Sequence, residues 1–327
     1  MLKRFVYALL ALVLWAAVNA EEVLVYAVIN EADIEMFASE FTKETGIEVR
    51  WLRGSTGEIV SRVRAERGAP QADILLGGPS AQHIALVDAG ALAPYTSPVA
   101  SELPSWGSDP HGYWNGFYLT ALGIGINEQR FAEKFPDLAP PATWDDLLNP
   151  AFAGEIVLTD PAASSTAYLF LQAQLQRLGP EAGWEYLRTL APLVGQFPSS
   201  GGAPPQLVGT GEYAIGVAYL HALARYRNEG FPVETIVPPL TAGEVGAVSV
   251  IAGGPNPAAA EAFVDFVLSV PAQEQFAKQS YTTPLNTGAT LPPGVRSAND
   301  YDLLDYDAER AGHERDAALM QWQQVID

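Results

Sequence analysis

Cysteine is absent from all 327 residues of this chain, and histidine occurs only four times. Without thiols the chain can form neither a disulfide framework nor a thiolate metal site, and it has no cysteine nucleophile or cysteine-linked lipid anchor. Positive charge is also scarce, with 18 Lys and Arg against 38 Asp and Glu and a formal net charge of −20. Such a field repels nucleic acids and anionic membrane surfaces, so we expect neither as a partner. An anion bound by this protein must be held by local groups.

Long hydrophobic runs are equally scarce, and the only one is at the N-terminus. Lys3 and Arg4 precede an apolar block that ends in the small residues "VNA" at 18–20. This arrangement is typical of a secretory signal peptide, residues 1–20, cleaved after Ala20. The block is short for a membrane span, and an uncleaved N-terminal anchor is the alternative. Cleavage would remove two positive charges and leave a net charge of −22 on a protein outside the cytoplasm.

Short apolar runs alternate with amphipathic stretches along the rest of the chain. Strand-like runs at 22–29, 47–52 and 72–78 alternate with helical patterns at 31–46 and 58–67. Strands that alternate with helices in this way are typical of a parallel sheet covered by helices on both faces. The pattern therefore predicts the α/β class.

Two extended stretches that contain several glycines interrupt the alternation, near 117–126 and 242–252. They predict a chain of two doubly wound α/β lobes joined by two extended crossings. We assign residues 21–118 with 246–290 to the first lobe, and residues 123–241 with 291–327 to the second.

The acidic C-terminal tail begins near residue 299. Its apolar residues are spaced as on one side of a helix. We expect a solvated helix that packs through Leu319, Trp322 and Val325.

Small polar residues and glycines occupy four predicted strand-to-helix junctions. These are Gly54–Gly57, Gly77–Ser80, Ala163–Thr166 and Ser199–Gly202. In open α/β sheets, ligands bind beyond the carboxyl ends of the strands, where the bare N–H groups of helix N-termini can hold an anion. Each junction could also be an ordinary cap, and Ser55 with Glu58 fits a capping box. Adjacent glycines at two junctions are not needed for caps; they allow close backbone approach to a ligand or a turn with positive φ. The set therefore favours an anion site.

Longer segments carry a resemblance to a known family. They include "RGSTGEIVSRVRAERGAPQADILLGGP", "TWDDLLNPAFAGEIVLTDPAASSTAY" and "SSGGAPPQLVGTGEYAIGVAYLHAL". From about Val23 to Asn286 the chain resembles the type II periplasmic solute-binding proteins of ABC importers, and the nearest branch includes iron(III) and hexose-phosphate binders. The resemblance implies two lobes that close on a ligand by hinge motion and deliver it to a membrane permease. We expect a periplasmic monomer without a cofactor.

The resemblance also implies ligand contacts at particular positions. The places that resemble the phosphate-contacting loops of the hexose-phosphate branch are Ser55, Thr56, Gly78, Ser165, Thr166, Ser200 and Gly201. Tyr219 and His221 complete the predicted ligand-binding site. Tyr118 and Tyr281 are further aromatic candidates near the predicted cleft.

At several positions the sequence differs from both branches, and these differences affect which ligand is expected. Ala222 follows the histidine where the hexose-phosphate branch has Asp, and Pro239-Leu240 stands where that branch has an acidic residue and Gly. A free hexose phosphate is therefore not favoured, although the anion site is retained. The iron(III) branch has two adjacent tyrosines, whereas here Tyr219 is followed by Leu220. Few hard oxygen ligands are expected to converge, so we predict no metal site and keep a ferric-ion-binding protein as an alternative.

An enzyme is the alternative from a different class. The chain lacks the G-x-S-x-G elbow at Ser55, and no His or Asp stands at a spacing that places it beside that serine. A phosphoester-processing enzyme is therefore disfavoured, and an adhesive or sensory binding protein without a transporter stays open. The sequence predicts a binding protein, not an enzyme, that captures a small phosphorylated or phosphonate anion for an ABC importer.

Overall fold

The computed structural model describes residues 22–326. The predicted signal peptide and its cleavage site after Ala20 lie outside this part of the chain. Among the described residues, none of the helices combines the length and the hydrophobicity that a bilayer crossing requires. The described part is a mixed α/β structure, so the predicted class is confirmed.

One mixed sheet contains the β-strands of the described residues. In chain order they are β1 (Glu22–Ala27), β2 (Glu48–Arg53), β3 (Ile74–Pro79), β4 (Leu92–Ala93), β5 (Asn115–Asn127), β6 (Ile156–Leu158), β7 (Val194–Gln196), β8 (Ile215–Tyr219), β9 (Val233–Ile236), β10 (Gly243–Ile251) and β11 (Thr283–Pro284). The main spatial order is β2-β1-β3-β10-β5-β8-β6-β7. β5 and β10 are the longest strands, with 13 and 9 residues, and they coincide with the two predicted crossings.

The α-helices connect and cover these strands. They are α1 (Glu31–Thr45), α2 (Thr56–Ala65), α3 (Ser80–Asp88), α4 (Glu128–Lys134), α5 (Ser165–Leu178), α6 (Pro180–Leu190), α7 (Ala203–Gly209), α8 (Leu220–Asn228), α9 (Pro257–Leu268), α10 (Val270–Ser280), α11 (Ala308–His313) and α12 (Arg315–Ile326). α1 ends where predicted, because Gly46 adopts the left-handed conformation with φ of 76°. α2 begins two residues before the predicted start, because Ser55 caps it.

Strand direction divides the sheet into two parallel groups. β1 pairs parallel with β2 and β3, and β6 pairs parallel with β7 and β8. β5 and β10 run antiparallel to each other between these groups. β5 pairs with β10 as far as Ala121 and with β8 from Leu122 onward. The long strands therefore carry the chain from one parallel group to the other and back.

Separate hydrophobic cores lie on the two sides of this change of partner. One contains Phe37 and Phe117, whose rings meet edge to face at 5.9 Å. The other contains Trp144 and Phe170, whose rings meet at 5.3 Å. Burial of each such side chain contributes on the order of 1.5–3 kcal/mol. Each of these is the larger of two core clusters on its side, which supports an organisation in two lobes. The lobe boundaries assigned above stay a prediction.

The C-terminal tail packs against the second of these cores. Trp322 is 1% exposed, and its Nε1 donates a hydrogen bond to Asp160 Oδ1 at 3.2 Å. Leu319 and Val325 are partly buried against the same core. The predicted packing residues are confirmed, but the tail forms two helices, α11 and α12, rather than one.

Candidate ligand-binding cleft

A cleft of about 540 Å³ opens where β5 and β10 pass between the two cores. Tyr118 and Thr120 of β5 form part of its wall, and Glu244 of β10 forms another part. The remaining wall comes from helix starts on both sides and from the C-terminal segment. A cleft of this size suits a small molecule.

Four helices begin at the cleft. Thr56 opens α2, Ala81 lies in the first turn of α3, Ser165 opens α5, and His221 is the second residue of α8; all four line the cleft. Among the described residues, no side chain caps the N-termini of α3, α5 or α8. The first-turn N–H groups of a helix carry a partial positive charge and need acceptors. Their convergence provides hydrogen-bond donors for an anion. Three of these helices follow predicted junctions, whereas α8 does not, and the predicted junction Ser199–Gly202 does not line the cleft.

At the start of α2, the capping role and the position facing the cleft belong to different residues. Ser55 Oγ accepts a long hydrogen bond from Glu58 N at 3.4 Å and donates to Glu58 Oε2 at 2.8 Å. Ser55 N donates to the same carboxylate at 2.9 Å, so the capping box is complete, and these bonds lower the pKa of Glu58. Ser55 does not line the cleft, whereas Thr56 does. Within residues 22–326, the Thr56 hydroxyl has no hydrogen-bond partner.

Adjacent glycines shape the wall at the end of β3. Gly77 and Gly78 have φ of +84° and +81°, a conformation that residues with a side chain rarely adopt. A Cβ atom at Gly77 would lie 2.5 Å from Ile29 Cγ2. Gly78 lines the cleft. Positive φ is thus found at this pair of adjacent glycines, but not at the pair Gly201-Gly202, where Gly202 has φ of −82°.

The structure brings only some of the predicted site residues together. Those that line the cleft are Thr56, Gly78, Ser165, Tyr219 and His221; those that do not are Ser55, Thr166, Ser200 and Gly201. Thr166 is 8% exposed, on α5. A Cβ atom at Gly201 would lie 3.0 Å from Thr166 Oγ1, so this turn packs against the start of α5. Ser200 Oγ accepts a hydrogen bond from Gly202 N at 3.3 Å. Ligand contacts by the second group stay a prediction.

Two arginines that the sequence analysis did not single out also line the cleft. Arg225 projects from α8 and Arg315 from α12. In the described part of the chain, neither guanidinium has an ion-pair partner. Each lies on a helix among other polar residues, a setting that ordinarily indicates a solvated face. Their position is evident only once the helices are packed.

Carboxylates face the same space. Asp33 is 4% exposed and accepts a hydrogen bond from Gln279 Nε2 at 2.8 Å. Glu244 Oε2 accepts from the Tyr219 hydroxyl at 2.5 Å. Burial raises the pKa of both carboxyls, and these hydrogen bonds act in the opposite direction. The acidic residues that the hexose-phosphate branch has after the histidine and at 239–240 are missing here, but Asp33 and Glu244 line the cleft from other positions. The expectation against a free hexose phosphate stays a prediction.

Tyrosines are more numerous in the cleft than the sequence analysis expected. Tyr118, Tyr168 and Tyr306 line it together with Tyr219. Burial raises the pKa of all four phenols, which disfavours the tyrosinate form. Within residues 22–326, no group of three or more His, Cys, Asp or Glu side chains is placed to hold a metal ion. Tyr281 does not line the cleft; it ends α10 in the left-handed conformation.

His221 lies beside Tyr219, with the rings stacked at 5.4 Å and 22°. Its Nδ1 atom is buried and has no partner among the residues that the structure describes. Burial, and then the charge of Arg225, lower the pKa of His221 to about 4. The imidazole is therefore neutral at physiological pH and can donate a hydrogen bond to a ligand or accept one from it.

Known proteins share this architecture and much of this sequence. Residues 37–301 match the family of bacterial extracellular solute-binding proteins. An uncharacterized protein of Haemophilus influenzae is 31% identical over 312 residues, which cover 93% of this chain and 90% of the relative. A Salmonella typhimurium protein, named as a candidate 2-aminoethylphosphonate-binding periplasmic protein, is 29% identical over 259 residues, covering 76% and 73%.

A solved structure extends the comparison to three dimensions. The periplasmic binding protein AfuA from Actinobacillus pleuropneumoniae, determined with exogenous fructose 6-phosphate bound, superposes with a TM-score of 0.78 at 30% identity. The match covers 94% of this chain and 98% of AfuA. The type II periplasmic binding protein fold is thus confirmed. The chain belongs to the bacterial extracellular solute-binding proteins, and it is a solute-binding protein of the class that serves ABC importers.

Proposed function

We propose that the cleft captures a small solute bearing a phosphate or phosphonate group in the periplasm and delivers it to the permease of an ABC importer. The observation that carries this proposal is the convergence of four helix N-termini and Arg225 on one cleft, with no ion-pair partner for this arginine within residues 22–326. The export signal cleaved after Ala20 belongs to the same proposal. Catalysis has no part in it.

The anionic group would be held by the helix starts. Thr56, Gly78 and Ser165 supply hydroxyl and backbone N–H donors, and Arg225 supplies a full positive charge. Each helix dipole contributes about 0.3–1 kcal/mol, and each charge-assisted hydrogen bond about 1.5–3 kcal/mol. The distant negative charges are screened beyond a Debye length of about 8 Å at physiological ionic strength. Local attraction therefore outweighs the repulsion of the acidic surface.

The rest of the ligand would meet the carboxylates. Asp33 and Glu244 can accept hydrogen bonds from hydroxyl or ammonium groups, and His221 can donate or accept one. Fructose 6-phosphate and 2-aminoethylphosphonate, the ligands named for the relatives, each combine an anionic group with such donors. This shared chemistry supports a ligand with an anion at one end and a hydrogen-bond donor at the other.

Binding would close the two lobes, assigned as residues 21–118 with 246–290 and 123–241 with 291–327. Asp33 lies on α1 and Arg225 on α8, and the arginine acts on the carboxyl by opposing the rise in its pKa. Opposite charges on the two walls favour the closed form. A hinge in β5 and β10 would permit this motion, because these strands join the parallel groups.

Calorimetry tests this function directly. We expect fructose 6-phosphate or 2-aminoethylphosphonate to bind with a Kd of about 1 μM or below, and fructose, which lacks the anion, to give no heat. Arg225→Gln should weaken binding at least tenfold, whereas Arg227→Gln, an exposed arginine on the same helix outside the cleft, should not. Equal affinity for fructose and its phosphate would refute the proposal.

Ferric iron is the second candidate, favoured by the four tyrosines that line the cleft. A ferric site built from tyrosinates absorbs in the visible range. Titration with ferric citrate that produces this charge-transfer band, without binding of either anion, would support iron over the phosphorylated solute.

A further inference from the structure

The C-terminal segment forms a wall of the cleft although it lies beyond the part of the chain that matches the family. The family match ends at residue 301. Tyr306, Ala311 and Arg315 all follow this point, and all line the cleft. Part of the binding surface is therefore built from residues that follow the family match.

Hydrogen bonds fix this segment to the second core. Asp307 N donates to Gln176 Oε1 at 2.8 Å, and Gln176 Nε2 returns a bond to Asp307 O at 3.0 Å. The Tyr168 hydroxyl donates to Ala311 O at 2.5 Å. Together with buried Trp322, these contacts make the segment part of the wall rather than a loose tail.

Arg315 is held over the ring of Tyr168. Its guanidinium carbon lies 4.3 Å from the ring centroid, a cation–π contact that positions the side chain without neutralising it. Considering the described residues alone, no carboxylate pairs with Arg315. Arg310, one helix earlier, is instead paired with Glu314 at 2.8 Å and does not line the cleft. The acidic segment thus leaves one positioned cation facing the ligand space.

We infer that Arg315 binds the anionic group of the solute and selects for its charge, so that the C-terminal segment determines ligand specificity. This inference rests on the proposed function. A guanidinium presents a planar fork of N–H donors that matches two oxygens of a phosphate or phosphonate. Stacking on Tyr168 holds the fork in one orientation, which lowers the entropy lost on binding.

Calorimetry with fructose 6-phosphate and 2-aminoethylphosphonate tests the inference in three variants. Arg315→Gln should weaken binding of the tighter probe at least tenfold and reduce its dependence on salt. Arg315→Lys keeps the charge but loses the fork, so we expect a smaller loss. Arg310→Gln is the matched control and should stay within twofold of the wild type. Loss of the cation–π contact with Tyr168 should lower the unfolding temperature without ligand by no more than a few degrees. A tenfold loss of affinity in a variant that is still folded separates a binding role from a structural one.

Three outcomes would overturn the role of Arg315 or the proposed function. Unchanged affinity and salt dependence in Arg315→Gln, with the wild type binding a probe, would overturn the inference and leave the proposed function intact. An equal loss in Arg310→Gln would reduce the effect to general surface charge and also overturn it. A wild type that binds neither probe would overturn the proposed function, and the inference would fail with it.

Discussion

Two neighbouring residues at the start of α2 offer a sharp test of how this cleft works. Ser55 completes a capping box with Glu58, whereas Thr56 faces the cleft with a hydroxyl that has no partner within residues 22–326. We compare Ser55→Ala with Thr56→Ala. The first should destabilise the protein, and the second should weaken ligand binding.

The structure sets the expected sizes. Loss of a serine cap costs about 0.5–2 kcal/mol. Because the cap is exposed and its Glu58 N to Ser55 Oγ bond is long at 3.4 Å, we expect about 1 kcal/mol or less. Loss of a hydroxyl bond to a charged ligand costs about 1.5–3 kcal/mol. Thr56→Ala should therefore weaken binding at least tenfold, since about 1.4 kcal/mol corresponds to a factor of ten.

Urea unfolding gives the first quantity, and calorimetry with the tighter of the two anionic probes gives the second. Ser55→Ala should lower the free energy of unfolding and keep its affinity within twofold. Thr56→Ala should show the reverse pattern. If Ser55→Ala loses affinity tenfold while Thr56→Ala does not, the division of roles is refuted, and Ser55 takes the ligand role that the resemblance implies.

Three further predictions follow from buried or strained positions and from the two-lobe organisation. His83 is fully buried, with Nδ1 2.7 Å from Ser249 Oγ, and burial lowers its pKa to about 4. The histidine has a pKa of about 6.5 in the unfolded chain, which therefore binds more protons than the folded protein between pH 6.5 and pH 4. Lowering the pH from 7 to 5 should then remove about 2 kcal/mol of stability through this group. Urea unfolding of His83→Gln should show a smaller pH dependence than wild type, and an equal pH dependence would contradict the assignment. Gly77→Ala should lower the free energy of unfolding by about 1–3 kcal/mol, because φ is +84° and the new Cβ would clash with Ile29. Gly57→Ala, at a helical site with open space, should be neutral or stabilising. Equal shifts of the unfolding temperature in the two variants would count against this account. Small-angle scattering should show a smaller radius of gyration when the tighter probe is added, and an unchanged radius at saturation would argue against hinge closure.

Local patterns in the sequence determined much of the fold. The spacing of apolar residues predicts the strands and helices from β1 to β3, and extended runs with several glycines predict the long strands β5 and β10. These signals are short-range, because caps, turns and side-chain periodicity depend on residues only a few positions apart. The same local chemistry marked three of the four helix starts that line the cleft, with Thr56 and Ser165 among their residues, but not the start of α8.

Tertiary structure decided which of those residues face the ligand space. Ser55 and Thr56 are adjacent and chemically alike, yet they point in different directions at the helix start. Ser55 caps the helix, whereas Thr56 lines the cleft. Asp33 and Arg225 are far apart in the sequence and meet at the cleft only because α1 and α8 begin beside it. Arg315 reaches it because Trp322 anchors the C-terminal helices on the second core. Charge at the site thus depends on contacts between distant segments, and no local pattern in the chain encodes them.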